Sequence, residues 1–127
     1  MPNYRSKFER KIGRRMKACA YEPEESVQEY TLSGKYLPDF VPKFDDSILI
    51  ECKGFFRTRQ EANKYIAVRE CNPDVEVVFI FGDPKTPMPS ARKRRDGTKF
   101  SMAEWADKNG FRHYTYDTIP KEWCRKC

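Results

Sequence analysis

The segment VEVVFIFG, residues 75–82, is almost continuously apolar, and this limits the architectures open to the chain. A strand with one wet face alternates apolar and polar side chains. A strand without that alternation needs cover on both faces, as in a sheet sandwiched between helices. Upstream, DSILIECKG (46–54) reads as a strand, with Ile48 and Ile50 on one side and Leu49, Glu51 and Lys53 on the other. Between the two, TRQEANKYIAVREC (58–71) reads as a helix ended by Asn72-Pro73. A strand, a helix and a strand at this spacing suit a right-handed parallel crossover. The fold expected is α/β, a mixed β-sheet flanked by helices.

The rest of the chain adds to this frame. SKFERKIGRRMKACA (6–20) reads as an amphipathic helix with Phe8, Ile12, Met16 and Cys19 on one face. Lys7, Arg10, Lys11, Arg14 and Lys17 fall on the other. YEPEE (21–25) is an acidic connector. VQEYTL (27–32) and KYLPDFV (35–41) read as strands joined by a hairpin turn at Ser33-Gly34. Residues 82–98, with three prolines, two glycines and the run Arg92, Lys93, Arg94, Arg95, read as a long basic loop. SMAEWADKNG (101–110) is a short helix opened by a capping box, Ser101 with Glu104, and closed by Gly110. FRHYTYDTIPKEW (111–123) adds a strand and a tail.

At 127 residues the chain is expected to form one domain, residues 1–127, burying roughly two-thirds of its unfolded surface. No apolar run approaches the roughly 20 residues that cross a bilayer. The N-terminal stretch has basic residues without an apolar core, so no secretory signal is expected and a cytoplasmic location is the simplest reading. The formal charge of +6 favours polyanionic partners, and its distribution says more than its size. Seven Lys or Arg and a single acid, Glu9, lie between Arg5 and Lys17. The five cysteines lack the spacing of a disulfide scaffold. The terminal pair Cys124 and Cys127 falls short of the four ligands of a zinc site, so reduced thiols are expected.

Three charges then stand out against the apolar background. Asp39 follows a proline on one strand, and Glu51 and Lys53 end the next. If the strands are neighbours, the three side chains converge. Two facing carboxylates raise one another's pKa, and a hard divalent cation, Mg²⁺ or Mn²⁺, would relieve that conflict. A lysine beside them can stabilise charge on a phosphate or help to position and deprotonate a water. Taken singly, Asp39 could be a turn residue and Glu51 with Lys53 a surface pair. Glu9 falls within the apolar stripe of its helix rather than on the basic face, although a capping box with Ser6 would also account for it.

PDF followed by an apolar strand ending in ECK matches the P-D…[DE]-x-K pattern of the restriction-like nuclease superfamily. That pattern alone is degenerate. The ordered set SKFE, YLPDFVP, ILIECKGFF, VRECNP, VVFIF, FSMAEWADKNGF and IPKEW, spanning residues 6–123, resembles the phage endonuclease I family of Holliday-junction resolvases. The resemblance implies a restriction-endonuclease-like domain that hydrolyses branched DNA to 5′-phosphate and 3′-hydroxyl ends. It implies two metal ions per site, Mg²⁺ with Mn²⁺ as substitute. Asp39 would bridge them, Glu51 and the Cys52 backbone carbonyl would complete one position, and Glu9 the other. Lys53 would be the catalytic lysine, and Glu22 matches a further acid near the site. Arg5, Lys7, Arg10, Arg14, Arg92, Lys93, Arg94 and Arg95 would contact DNA phosphates, a salt-sensitive and sequence-independent mode. A two-fold dimer is what cutting both sides of a junction requires. The family exchanges N-terminal segments across a longer bridge than YTLSGKYLPDF, which leaves that exchange open here. Two other readings keep the same residues: a nicking, mismatch or degradative nuclease, and a non-catalytic DNA-binding protein on this fold.

Overall fold

The computed structural model describes residues 4–29 and 35–124. A five-stranded sheet runs in the order β1-β4-β5-β6-β7, formed by Cys19–Tyr21, Phe40–Pro42, Ile48–Lys53, Glu76–Phe81 and Arg112–Tyr114. A separate two-stranded ribbon pairs β2 (Gln28–Glu29) with β3 (Lys35–Tyr36). The helices are α1 (Lys7–Arg15), α2 (Arg59–Cys71), α3 (Met102–Lys108) and α4 (Lys121–Cys124). β1, β4 and β5 are antiparallel neighbours, whereas β5, β6 and β7 run parallel, so the sheet is mixed.

The apolar strand behaves as its sequence requires. Val77, Phe79 and Phe81 pack with Leu49, Tyr65, Met102 and Trp105, under α2 and α3. Val78 and Ile80 pack with Ile50, Ile12, Met16 and Trp123, under α1 and α4. Both faces of β6 are thereby covered, and all five residues are fully buried. Phe79 meets Tyr65, Phe56, Trp105 and Phe111 edge-on, with ring centroids 5.2 to 5.9 Å apart, the favoured geometry for aromatic pairs.

Two sequence expectations need correction. The first helix was expected over 6–20 but ends at Arg15, and Cys19–Tyr21 forms the edge strand β1 against β4. Met16 and Cys19 keep helical spacing and are buried, yet they reach the same core from a helix end and from a strand. KYLPDFV is not one strand. Tyr36 pairs in the ribbon, the chain bends through Leu37–Asp39, and Phe40 begins β4. Pro38 has no N–H to give a ladder, which suits a break there. The Ser33-Gly34 turn and Cys127 lie outside the described residues. Cys19, Cys52 and Cys124 are free thiols, and burial pushes Cys19 up to about 12.

The helix signals hold. Thr58 caps α2 by accepting from the Glu61 N–H, and Ser101 with Glu104 closes a full capping box on α3. Gly110, at φ +75°, supplies the left-handed turn after it. The 82–98 segment contains no helix or strand, but it is tied to α3. Met102 donates to Thr86, Ala103 to Pro84, and Arg94 makes a bidentate pair with Glu104 at 2.7 and 3.2 Å. Arg94 is therefore engaged within the protein, while Arg92, Lys93 and Arg95 stand exposed. Ser101→Ala is expected to cost about 1 kcal/mol, read as a lower urea midpoint at unchanged m-value.

Candidate active site

The site lies at the end of β5, where the strand carries Glu51 and Lys53 out of the core. The β4–β5 pairing sets Phe40 opposite Ile50, so Asp39 arrives beside Cys52. The Cys52 N–H donates to Asp39 Oδ2 at 2.9 Å, and the Asp39 carbonyl accepts from the Glu22 N–H at 2.6 Å. These backbone bonds fix the aspartate from two directions. α1 brings Glu9, which is buried despite lying in a strongly basic helix. A cavity of about 470 Å³ opens between these elements, lined by Arg5, Glu9, Glu22, Asp39, Glu51 and Lys53 among others. Lys35 and Lys64 also line it, as do Tyr36 and Tyr65. An acidic floor thus sits within a basic rim.

Each carboxylate has a defined environment. Glu51 accepts from the Tyr36 hydroxyl at 2.5 Å on one oxygen and from the Tyr65 hydroxyl at 2.9 Å on the other. Burial first, and then the Glu51 charge, pushes both tyrosines well above their usual range, so they serve as donors. Glu9 accepts from the Tyr21 hydroxyl at 2.7 Å and from the Arg5 N–H at 3.1 Å. Its own N–H donates to Ser6 Oγ at 3.0 Å, so the cap on α1 forms while the carboxylate turns toward the cavity. Glu9 thus offers its N–H to the Ser6 cap while its side chain lines the cavity.

Asp39 is the most strained electrostatically. Burial, then the neighbouring charge of Glu51, pushes its carboxyl up to about 9 against the helpful Cys52 N–H bond, and Glu9 adds to the rise. The Arg5 guanidinium lies 3.8 Å from Asp39 and forms an ion pair with Glu22. Glu22 holds a positive φ of 43°, sparsely populated for a residue with a side chain, and its buried Oε1 has no well-formed hydrogen bond despite that ion pair. Lys53 Nζ lies 2.8 Å from Glu61 and 3.6 Å from Glu51. Burial opposes its charge, but Glu51 and then Glu61 outweigh this and hold the ammonium above its ordinary value.

The structure brings Glu9, Asp39, Glu51, Lys53, Cys52 and Glu22 to one cavity, together with Arg5. Lys7, Arg10 and Arg14 lie exposed on α1 away from its buried Ile12, and the 92–95 run lies on the loop before α3. Sequence reasoning missed Tyr36, Tyr65 and Tyr21, whose hydroxyls hold the acids, and Glu61, which holds the lysine. For Glu61 a signal existed: T-x-x-E at the start of α2, five residues after Lys53.

Three buried carboxylates with a protonatable excess of negative charge are hard oxygen donors, and their chemistry fits a divalent cation of the Mg²⁺ or Mn²⁺ kind. As placed, no three Asp, Glu, Cys or His side chains among the described residues form a ready ion cage. Tyrosine hydroxyls hold both Glu51 oxygens and one Glu9 oxygen, and the Cys52 N–H holds one oxygen of Asp39.

Fold and site together define a restriction-endonuclease-like α/β domain with an acidic cavity and one lysine at the end of a central strand. The family model for phage endonuclease I matches residues 1–127, the whole chain, and the chain belongs to the phage endonuclease I family. It is accordingly an endonuclease, a hydrolase with DNA as substrate. No curated protein matches it. No helix among the described residues is long and apolar enough to cross a membrane.

Proposed function

We propose that the enzyme is a divalent-cation-dependent, structure-selective nuclease that resolves four-way DNA junctions. The observation that carries this reading is the convergence of Glu9, Asp39, Glu51 and Lys53 on one cavity of a phage endonuclease I chain. Asp39, Glu51 and the Cys52 carbonyl would hold one cation, with Asp39 and Glu9 holding a second. The cation, when bound, supplies charge stabilisation at phosphorus and a more acidic water.

The chain's own residues account for the remainder. In hydrolysis a water oxygen bonds to phosphorus and gives up a proton to solvent, the P–O3′ bond breaks, and the released 3′-oxygen takes up a proton from solvent in return. Lys53, held as an ammonium, suits hydrogen bonding to the non-bridging oxygens as charge builds there, rather than proton abstraction. Tyr36 and Tyr65 fix the Glu51 carboxylate so that little reorientation is needed. Arg5, Lys35 and Lys64 at the rim suit phosphates flanking the cut. Exposed charges on α1 and on the 92–95 run extend the same polyanion surface. Such contacts read backbone course rather than bases, which suits recognition of branch shape. Two symmetric incisions call for two sites, hence a two-fold dimer acting on cytoplasmic DNA of the bacterial host.

The test compares a labelled four-way junction with linear duplexes of its own arms, in Mg²⁺ and in Mn²⁺. Paired cuts near the branch point, with linear arms left intact, are expected. Equal rates on both substrates would sink the resolvase reading and favour a nicking or degradative nuclease.

A further inference from the structure

Glu61 lies on the first turn of α2 and takes no part in the reading above, yet it makes the shortest polar contact of the lysine. Its Oε1 is 2.8 Å from Lys53 Nζ, against 3.6 Å from that nitrogen to Glu51 Oε1. The glutamate is itself held. Its N–H donates to the Thr58 hydroxyl at 3.1 Å, and its other oxygen accepts from the Arg57 N–H at 3.0 Å. In a closed capping box the carboxylate would return to the Thr58 N–H. Here it reaches one residue further back, and that leaves Oε1 directed at the lysine. Lys53 Nζ also lies over the Tyr65 ring, 5.4 Å from its centroid, and over the Phe56 ring at 6.0 Å.

Glu51 explains why this matters. Both its oxygens already accept a tyrosine hydroxyl. A lysine closing fully onto Glu51 Oε1 would add a third donor to that carboxylate and a positive charge beside the cation position. We propose that Glu61 is a positioning residue that draws the Lys53 ammonium off Glu51, leaving that carboxylate able to bind a divalent cation and the lysine able to face phosphate. The inference rests on the cation-dependent nuclease reading and deepens it. Glu61 touches neither cation nor substrate; it acts through Lys53.

Glu61→Gln keeps the shape and the bond to Arg57 but loses the charge. Its Mn²⁺ affinity, measured by titration calorimetry without DNA, should fall about tenfold, within the range of coupling between charged neighbours. Junction cleavage should show a lower kcat at little changed KM, and Glu61→Asp should recover part of the loss. The decisive variant is the double Glu61→Gln, Lys53→Met. With no ammonium to close on Glu51, its Mn²⁺ affinity should equal that of Lys53→Met alone. If Glu61 serves only to tie α2 to β5, Glu61→Gln lowers the melting temperature and leaves Mn²⁺ affinity at the wild-type value; that result overturns the proposal. So does a double variant as weak as Glu61→Gln alone. A wild type that neither binds Mn²⁺ nor cuts overturns the cation-dependent reading and this inference with it. A wild type that binds and cuts, beside an unchanged Glu61→Gln, overturns the role of Glu61 alone.

Discussion

Lys53→Ala should abolish junction cleavage while leaving junction binding in place. The lysine side chain is only 17% exposed and projects into the cavity between Glu51 and Glu61, so it offers little to DNA outside the site. On the proposed mechanism its charge would face the phosphate as negative charge builds during displacement. Loss of one such donor typically costs about 10²–10³ in kcat. On the same reading binding would draw on many phosphates through α1, the rim and the 92–95 run. Removing one cation should change the slope of log affinity against log salt by no more than about one. Single-turnover cleavage and a salt series of binding isotherms, run on both proteins, separate the two effects. Cutting at the wild-type rate would remove Lys53 from the chemistry. Loss of binding in step with activity would make it a docking cation instead.

Much of this could be read in the sequence, for reasons that differ between residues. Residues 77–81 are apolar without alternation, and few structures other than a doubly covered strand accept that. Glu51 and Lys53 were conspicuous because a period-two pattern assigns each to the same face as Leu49, where charge is costly without a partner. Asp39 drew notice from its proline and its distance along the chain. The end of α1 was hidden because Met16 and Cys19 keep a spacing of three. A helix turn and the first residue of a following strand can feed one core with the same spacing.

The tyrosines were hidden for another reason. Tyr36 and Tyr65 are 15 and 14 residues from Glu51, and an aromatic in a strand or on a helix face reads as core. Both are core by burial, yet their hydroxyls are what satisfies a buried carboxylate. A buried acid in an apolar strand implies donors somewhere, but the sequence does not say which. Arg5 was assigned to DNA with the other cations of its segment. Its guanidinium also lies beside Glu22 and Asp39, a placement the sequence hides because Asp39 is 34 residues further along the chain.

In EDTA, Asp39→Asn should be more stable than wild type at neutral and alkaline pH, with the advantage vanishing in acid. The folded carboxyl is raised to about 9 from an ordinary value of 3.8, so the native chain binds the extra proton throughout that window. Stability falls with rising pH wherever the native state holds more protons than the unfolded one. The wild-type melting temperature should therefore decline between about pH 5 and pH 9. Asp45, Glu61, Asp96 and Glu104 are lowered and titrate below this window, and Lys53 is raised and titrates above it. The buried Cys19 and Cys52 thiols are raised and add to the fall only at its alkaline end, in both proteins alike. The asparagine keeps an acceptor for the Cys52 N–H without the charge, and its melting temperature should stay nearly level until the cysteine thiols begin to titrate at the alkaline end. Divalent cation reverses the order. Mn²⁺ at 100 times its dissociation constant adds about 2.7 kcal/mol to a protein that binds it only when folded. That gain should appear in wild type, grow with pH as Asp39 gives up its proton, and be largely absent from Asp39→Asn. Calorimetric scans with EDTA or Mn²⁺ at several pH values read both effects together. Identical pH profiles for the two proteins in EDTA would mean that Arg5 and the Cys52 N–H already balance the Asp39 charge. The electrostatic case for a cation at this site would then fall.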